Sequence, residues 1–252
     1  MTVEKTTAIG IIPARYGSTR FPGKPLALIA GKPMIQWVYE NTVKAKRLNK
    51  VIAATDDERI MQCVTGFGGE CVMTSAELST GTERVAAAAK QYNADIVLNI
   101  QGDEPLVPPE LLDALVSALE KQRDIPVCTP AVRIESYDDL IDLNQARVVF
   151  DNQMRALYFT RAAVPFNRDI PLNSEWLSKT EYWKHIGIYC FRRDFLYTYI
   201  SLPEGRFERI EKLEQLRILE NGYPILIVKT DYSPVCVDVP NDIAKVELRI
   251  KS

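Results

Sequence analysis

Residues 8–25 read AIGIIPARYGSTRFPGKP and join a short apolar run to a loop rich in glycine, proline, hydroxyl groups and cations. The apolar run at residues 8–12 predicts a buried strand. In the loop, backbone N–H groups can form an anion-binding concavity, to which Arg15, Arg20 and Lys24 add positive charge. The stretch predicts a strand that ends in a triphosphate-binding loop. A surface loop with solvated cations is the alternative, because Gly and Pro are common in turns.

Two better-known phosphate motifs do not fit this loop. A Walker loop has four residues between its glycines and a hydroxyl residue after its lysine. Here five residues separate Gly17 from Gly23, and Pro25 follows Lys24. No G-x-G-x-x-G follows the first strand, which excludes a dinucleotide-binding dehydrogenase. The loop therefore indicates nucleotide binding of a third kind.

The composition is that of an ordinary globular protein. The 252 residues are 46% hydrophobic and 25% charged, with a formal net charge of -2, and they suffice for one large α/β domain or a domain with an inserted lobe. The balanced charge argues against a general nucleic-acid binder. No apolar run approaches the roughly 18 residues that span a bilayer, so we expect a cytoplasmic protein. Five cysteines without a C-x-x-C pair, most of them in apolar runs, predict free and buried thiols.

Strand and helix patterns alternate through the first half of the chain. Strands are predicted at 51–54, 71–73, 96–100 and 127–132, and helices at 34–47, 58–64, 82 to about 92, and from Pro109 onward. Asp56 and Asp57 are placed to cap the second of these helices, and Thr82 to cap the third. This alternation is typical of a nucleotide-binding sheet of the doubly wound type.

The pattern changes between about 137 and 190. Strand-like pieces at 147–150, 156–159 and 186–191 surround a polar, proline-containing stretch at 167–180, which suggests a lobe for substrate binding or self-association. A continuous helix is then predicted at 207–220, followed by strands at 225–228 and 235–237 and a closing helix from Pro240 to about 250.

Two aspartates each follow an apolar strand pattern and precede a turn. Asp103 lies in NIQGDEP (99–105) and Asp238 in VCVDVP (235–240). If both strands belong to one sheet, the two carboxylates converge, and at about 4 Å they would repel by roughly 4 kcal/mol at an effective dielectric constant near 20. A shared Mg2+ would remove that repulsion. The alternatives are an ordinary turn residue for Asp103 and a helix cap for Asp238.

Three further polar residues occupy unusual positions. Arg84 lies in a predicted first helical turn, where its charge opposes the helix dipole, so a ligand or an acidic neighbour should offset it. His185 is the only histidine, and no Ser/His/Asp spacing supports a hydrolase triad. Glu214 interrupts an apolar row on the predicted 207–220 helix. It is either an edge residue or a buried carboxylate partnered by Arg161, His185 or a sugar hydroxyl.

Taken together, these segments resemble a known family. They are IPARYGSTRFPGKP (12–25), ATDD (54–57), QGDEP (101–105), ALYFTR (156–161), HIGIY (185–189), LEQLR (213–217) and VDVP (237–240). In this order, from the first strand to the last helix, they are similar to the 3-deoxy-manno-octulosonate (Kdo) cytidylyltransferases, also called CMP-Kdo synthetases.

The resemblance implies a three-layer, glycosyltransferase-A-like α/β fold with a mostly parallel sheet. It implies one cytidylyltransferase domain over 1–252, with a nucleotide and metal core at 1–136 and 201–252 and an inserted substrate and dimerisation lobe at about 137–200. It also implies a homodimer and a Mg2+-dependent reaction, in which the anomeric hydroxyl of Kdo attacks the α-phosphate of CTP. The products would be pyrophosphate and CMP-Kdo, an activated sugar for lipopolysaccharide biosynthesis.

The resemblance also assigns roles to single residues. Arg15 and Lys24 would hold the triphosphate and act in catalysis with Asp103 and Asp238, the expected Mg2+ ligands. The expected nucleotide-binding residues are Ala14, Arg15, Lys24, Arg84 and Gln101. The expected sugar-binding residues are Arg161, His185, Tyr189, Glu214 and Gln215.

Two segments depart from the family pattern. LSTG (78–81) lacks the histidine that many relatives carry before this turn, and LNQ (143–145) replaces a common Asn-Pro. These departures bear on which sugar is the substrate more than on the reaction. A cytidylyltransferase for 8-amino-Kdo is therefore an alternative. A sialic-acid cytidylyltransferase typically has Lys-Gly after Ser18, where this chain has Thr19 and Arg20. A non-catalytic nucleotide-binding protein would be expected to lose Lys24 or one of the two aspartates, and this chain keeps all three.

Overall fold

The computed structural model describes residues 6–17 and 21–251, so Arg20 lies outside the described residues. The elements of the first half are β1 (Ala8–Ala14), β2 (Leu28–Ile29), β3 (Lys32–Pro33), α1 (Met34–Thr42), β4 (Lys50–Thr55), α2 (Glu58–Gly66), β5 (Cys71–Met73), α3 (Gly81–Ala89), β6 (Ile96–Asn99), α4 (Pro109–Lys121) and β7 (Val127–Arg133). A 3₁₀ turn at Lys24–Leu26 precedes β2.

The second half continues with shorter elements. They are α5 (Tyr137–Ile141), β8 (Arg147–Phe150), β9 (Ala156–Thr160), α6 (Trp176–Lys179), β10 (Trp183–His185), β11 (Tyr189–Arg192), α7 (Arg193–Ser201), α8 (Arg206–Glu211), α9 (Leu216–Glu220), β12 (Ile225–Thr230) and α10 (Asp242–Lys251). Within the described part of the chain, no helix is long and apolar enough to cross a membrane.

One large sheet forms the middle layer. Its strand order is β5-β4-β1-β6-β11-β7-β10-β8-β9, and β12 also pairs with β7. The run β5-β4-β1-β6 is parallel, as is β12 on β7, whereas β11 lies antiparallel between β6 and β7. The strands that lie within the predicted lobe, β8 to β11, therefore extend or complete this same sheet, and β10 among them was not predicted.

Helices cover both faces of the sheet and bury two apolar clusters. Side chains of α1, α2 and α4 pack on one face, and side chains of α3, α7 and α9 pack on the other. The central strand β6 serves both layers, because Ile96 and Leu98 face the first cluster and Val97 faces the second. The predicted three-layer α/β fold is thereby confirmed.

Local signals placed several elements correctly. The Asp57 carboxylate caps α2 by accepting a hydrogen bond from the Arg59 backbone N–H at 2.9 Å. Pro109 occupies the first turn of α4, where its missing N–H leaves no helical bond unmade. The described residues contain only free cysteines, as the spacing predicted, but of the five only Cys128 and Cys190 are buried, and Cys236 is exposed.

Other local predictions were wrong. Thr80, not Thr82, caps α3, because its hydroxyl and the Glu83 carboxylate form a reciprocal capping box. The predicted strand at 235–237 is irregular, the helix from 34 ends at Thr42, and β11 begins three residues later than the predicted strand at 186.

The predicted helix at 207–220 is broken into α8 and α9. Lys212 has φ 55°, in the left-handed region that a helix cannot continue through. The guanidinium of Arg161 donates to the carbonyls of Glu211 and Lys212 at 2.8 and 3.3 Å, which holds the break in place. The apolar row proposed for this helix does not exist, and Ile210 is exposed.

Candidate functional site

A cavity of about 490 Å³ opens at the carboxyl ends of β1 and β6; we call it the lysine cavity. Its lining residues are Pro13, Ala14, Arg15, Gly17, Lys24, Pro25, Thr80, Gly81, Arg84, Gln101, Gly102, Asp103, Glu214 and Asp238. Ligands of open α/β sheets bind at this edge. The structure thus gathers Ala14, Arg15, Lys24, Arg84, Gln101, Asp103 and Asp238, the described residues that were predicted to bind nucleotide or metal, around one opening.

Lys24 lies between the two aspartates of this cavity. Its Nζ is 2.8 Å from Asp103 Oδ2 and 3.8 Å from Asp238 Oδ1. Lys24 starts the 3₁₀ turn directly after Gly23, which has φ 72° and lies so close to the Tyr16 ring that a Cβ there would be 3.0 Å from it. The loop therefore folds back on itself and points the lysine at the carboxylates.

The two aspartates converge, although by a different route from the one the sequence predicted. Asp238 follows an irregular segment rather than a strand, and the preceding Val237 donates its N–H to the Asp103 carbonyl at 3.0 Å. Val237 is fully buried in a small apolar cluster, which anchors the segment. Asp242, in the first turn of α10, accepts hydrogen bonds from the N–H groups of Asp238 and Val239 and so ties the segment to this helix.

The turn after β6 passes unusually close to the end of β1. A Cβ on Gly102 would lie 2.9 Å from the Pro13 carbonyl oxygen, closer than such atoms approach. Next to it, the Gln101 side chain donates to the Gly187 carbonyl at 2.9 Å and borders the cavity. This glycine lets Gln101 and Asp103 reach the first loop.

The two arginines of the lysine cavity differ. Arg15 is exposed, and its guanidinium donates a hydrogen bond at 3.3 Å to the Ser79 carbonyl. Arg84 is 2% exposed and forms an ion pair with Asp56 at 2.8 Å, and it also bonds to Thr74. The acidic neighbour that Arg84 was expected to need is therefore Asp56. Arg84 therefore borders the cavity with its guanidinium bound to Asp56 and Thr74.

A second cavity of about 290 Å³ adjoins the first; we call it the histidine cavity. It is lined by Gly81, Thr82, Asn99, Gln101, His185, Gly187, Tyr189, Lys212, Leu213, Glu214 and Gln215. Gly81, Gln101 and Glu214 line both cavities. A ligand with two joined parts can therefore occupy both at once.

His185 is a neutral side chain at the wall of the histidine cavity. Its Nε2 is 2.9 Å from Thr129 Oγ1, and its Nδ1 is 3.5 Å from Gln215 Nε2. The Phe159 ring lies edge-on to the imidazole at 5.0 Å. Burial lowers the pKa of His185 to about 3, because a charged imidazolium would lose its hydration there.

Glu214 reaches the cavities because the chain breaks at Lys212. Its Oε2 accepts from the Thr82 and Tyr199 hydroxyls at 3.4 and 3.5 Å. Loss of solvation among the surrounding residues, together with the nearby Glu208 carboxylate, raises the pKa of Glu214. Thr82 is thus part of a hydrogen-bonded cavity wall, a position that its sequence neighbours did not indicate.

Of the residues predicted to bind sugar, His185, Tyr189, Glu214 and Gln215 line the histidine cavity, and Arg161 does not. The Arg161 guanidinium donates to the carbonyls of Leu143, Asn144, Glu211 and Lys212. Its observed contacts fix the backbone beside the cavity, because they hold the turn that carries Lys212.

Glu104 is a buried acid that sequence reasoning missed. It is 3% exposed, and its Oε2 has no hydrogen-bond partner among the described residues. Burial, with a smaller effect of the adjacent Asp103 carboxylate, raises the pKa of Glu104 to about 8. Burial therefore favours the neutral, protonated form of this carboxyl group over the carboxylate. The only sequence signal was its position beside Asp103 in the QGDEP turn.

The carboxylate pair fits a hard cation such as Mg2+. Asp103 and Asp238 already share the Lys24 ammonium, so both can face one positive charge. The described residues hold no group of three or more His, Cys, Asp or Glu suited to a metal. Two carboxylates are nonetheless sufficient for Mg2+, which commonly takes one or two from the protein and the rest from water and substrate phosphates.

Comparison with known proteins identifies the family and the fold. Residues 9–230 match the cytidylyltransferase family model. A solved CMP:2-keto-3-deoxy-manno-octonic acid synthetase complexed with CTP superposes with a TM-score of 0.91 at 38% identity, covering 98% of this chain and 99% of that one. The fold is that of a cytidylyltransferase, and the chain belongs to this class.

Curated relatives show which family of cytidylyltransferases the chain resembles. The 3-deoxy-manno-octulosonate cytidylyltransferase of Syntrophotalea carbinolica is 45% identical over 96% of this chain and 97% of its own length. That of Syntrophobacter fumaroxidans is 48% identical over 94% of each chain. The chain belongs to the 3-deoxy-manno-octulosonate cytidylyltransferase family, which confirms the resemblance found in the sequence.

Proposed function

We propose that the protein transfers CMP from CTP to the anomeric hydroxyl of Kdo, giving CMP-Kdo and pyrophosphate. The observation that carries the proposal is the placement of Lys24, Asp103 and Asp238 in a cavity that opens directly into the one lined by His185 and Glu214. The triphosphate would occupy the lysine cavity and the acid sugar the histidine cavity. Membership in the family supplies the substrate class.

In the reaction, the hydroxyl oxygen forms a bond to the α-phosphorus while the bond from that phosphorus to the bridging oxygen of pyrophosphate breaks. The hydroxyl proton is released, and the pyrophosphate carries the electron pair away. Such a transfer depends on positioning and on charge neutralisation more than on covalent chemistry. Lys24 and Arg15 supply that positive charge at the mouth of the lysine cavity.

Asp103 and Asp238 would hold Mg2+, which when bound neutralises phosphate charge and orients the triphosphate. Lys24 lies within ion-pair distance of both carboxylates and offsets part of their charge. Gln101 and Glu214 border both cavities and are placed to contact the region where sugar and nucleotide meet. Neutral His185 and Gln215 would offer hydrogen bonds to sugar hydroxyls.

The same proposal includes a homodimer and a lobe at about 137–200 beside a core at 1–136 and 201–252. Several large apolar side chains are exposed on or beside that lobe, and apolar surface of this kind often marks an association site. They are Leu143, Leu157, Phe166, Leu172, Phe207 and Ile210. Light scattering of the purified protein tests this part, and a monomer at micromolar concentration would contradict it.

The decisive assay is pyrophosphate release from CTP and Mg2+ with Kdo, 8-amino-Kdo and N-acetylneuraminate in parallel. Release with Kdo at the highest kcat/KM is the expected outcome. A higher kcat/KM with 8-amino-Kdo would transfer the assignment to that sugar. No release with any of the three, despite saturable CTP binding, would overturn the proposed reaction.

A further inference from the structure

We propose that Thr129 is a positioning residue that holds His185 as the Nε2–H tautomer, so that Nδ1 presents a lone pair to the sugar. This assignment rests on the proposed function, because it makes the histidine a hydrogen-bond acceptor for a sugar hydroxyl. Thr129 lies on β7, is fully buried and lines neither cavity. Its influence on the sugar therefore passes through the groups that it holds, His185 and the backbone of residues 186–188.

The direction of each hydrogen bond at Thr129 follows from its three neighbours. Its Oγ1 lies 2.9 Å from His185 Nε2, 3.1 Å from the Ile186 carbonyl and 2.8 Å from the Ile188 carbonyl. A hydroxyl has one proton to donate and two lone pairs to accept with, whereas a carbonyl oxygen only accepts. The Thr129 proton is committed to a carbonyl, and the histidine must then donate.

The Ile188 carbonyl needs that proton because of the neighbouring strand. Cys190 pairs with Cys128 in the antiparallel ladder, and continuing this register places Ile188 opposite Pro130. Proline has no backbone N–H, so the ladder bond to the Ile188 carbonyl cannot form. The Thr129 hydroxyl supplies the missing donor at 2.8 Å. The Ile186 carbonyl, by contrast, already accepts from the Ile188 N–H at 2.9 Å.

Protonation of Nε2 determines the hydrogen-bonding role of Nδ1, the other ring nitrogen. A neutral imidazole carries one N–H, so Nδ1 is an acceptor once Nε2 is the donor. The Gln215 amide nitrogen lies 3.5 Å from Nδ1 and can only donate, which agrees with an acceptor Nδ1, and both residues line the histidine cavity. Because Nδ1 has a single lone pair, a sugar hydroxyl would replace this long contact with Gln215. The rings of Phe159 and Tyr189 pack against the imidazole at 5.0 and 5.5 Å and restrain its orientation.

His185 is the only histidine, so the tautomer can be read without assignment of any other ring. In the 15N-labelled full-length protein at neutral pH, long-range 1H–15N correlations distinguish the protonated from the unprotonated ring nitrogen. We expect a protonated Nε2 and an unprotonated Nδ1. A protonated Nδ1, or a doubly protonated ring, would overturn the proposal. This spectrum requires no substrate, so it stands even if the proposed reaction fails.

Two matched variants test the part played by Thr129. Thr129→Val keeps the shape and removes the hydroxyl, and we expect a mixture of tautomers. Loss of one neutral hydrogen bond to the sugar predicts a rise of about three- to tenfold in the KM for Kdo, with the KM for CTP unchanged within about twofold. Thr129→Ser keeps the hydroxyl and should restore both the spectrum and the KM.

Three results would refute the role of Thr129. They are a pure Nε2–H tautomer in Thr129→Val, an equal rise in both KM values, and a Thr129→Ser protein that behaves like Thr129→Val. If Thr129→Val does not fold, the wild-type and Thr129→Ser spectra remain decisive, because both must contain the Nε2–H tautomer. If the spectra agree while no sugar is turned over, the tautomer assignment holds and the proposed function fails.

Discussion

Replacement of His185 by Gln should change how the stability of the protein depends on pH. The imidazole has a pKa of about 3 in the fold and 6.5 as the ordinary value. Between these values the unfolded chain binds a proton that the folded chain does not. The contribution of His185 to the free energy of unfolding is therefore fully present above the unfolded pKa, and it decreases as pH falls toward the folded pKa.

The size of the effect follows from the same two values. Each pH unit within the window changes the free energy of unfolding by about 1.4 kcal/mol, and linkage gives about 2 kcal/mol between roughly pH 7.5 and pH 5. The ring keeps some contact with the histidine cavity, so this is an upper limit, and we expect about 1–2 kcal/mol. Other titrating groups are common to both proteins and cancel when wild type and His185→Gln are compared.

Urea unfolding, followed by circular dichroism at several pH values in this range, measures the quantity directly. The wild-type free energy of unfolding should fall on acidification relative to that of His185→Gln, with equal m-values for the two proteins. A stability difference that stays constant between the two pH limits would refute the reasoning, because it would mean that the imidazole titrates alike in the folded and unfolded chains.

Further predictions concern the lysine cavity and the acid behind it. Asp103→Ala and Asp238→Ala should each lower kcat at least about 100-fold while circular dichroism stays unchanged; a residual activity above about one tenth would contradict a shared metal site. Lys24→Ala should weaken CTP binding about 10- to 100-fold in calorimetry, and an unchanged Kd would contradict its contact with the triphosphate. Glu104 should make wild type lose about 1.4 kcal/mol of unfolding free energy per pH unit as pH rises from 4.5 toward the folded pKa near 8, because the folded carboxyl keeps a proton that the unfolded chain has lost. This sign is opposite to that of His185, and Glu104→Gln should abolish the loss. Parallel plots of unfolding free energy against pH for the two proteins, measured with urea, would contradict this prediction.

Much of the fold could be predicted from local sequence, because it rests on interactions within one or two turns of chain. Short apolar runs predicted β1, β4 and β6. Asp57 marked the start of α2, and Pro109 marked the start of α4. Each of these signals acts between residues close in sequence. Lys24, Asp103 and Asp238 could be recognised in the same way, because each lies in a short motif whose neighbours in sequence already indicate a loop or turn.

The sequence by itself determined the alternating α/β order and the chemical groups of the site. Only the tertiary structure decided how those groups meet. Arg161 holds the break at Lys212 from 51 residues away, and this break turns Glu214 into the cavities. Thr129 reaches His185 from 56 residues away. No local period carries such information, because these contacts form only after strands distant in sequence have paired.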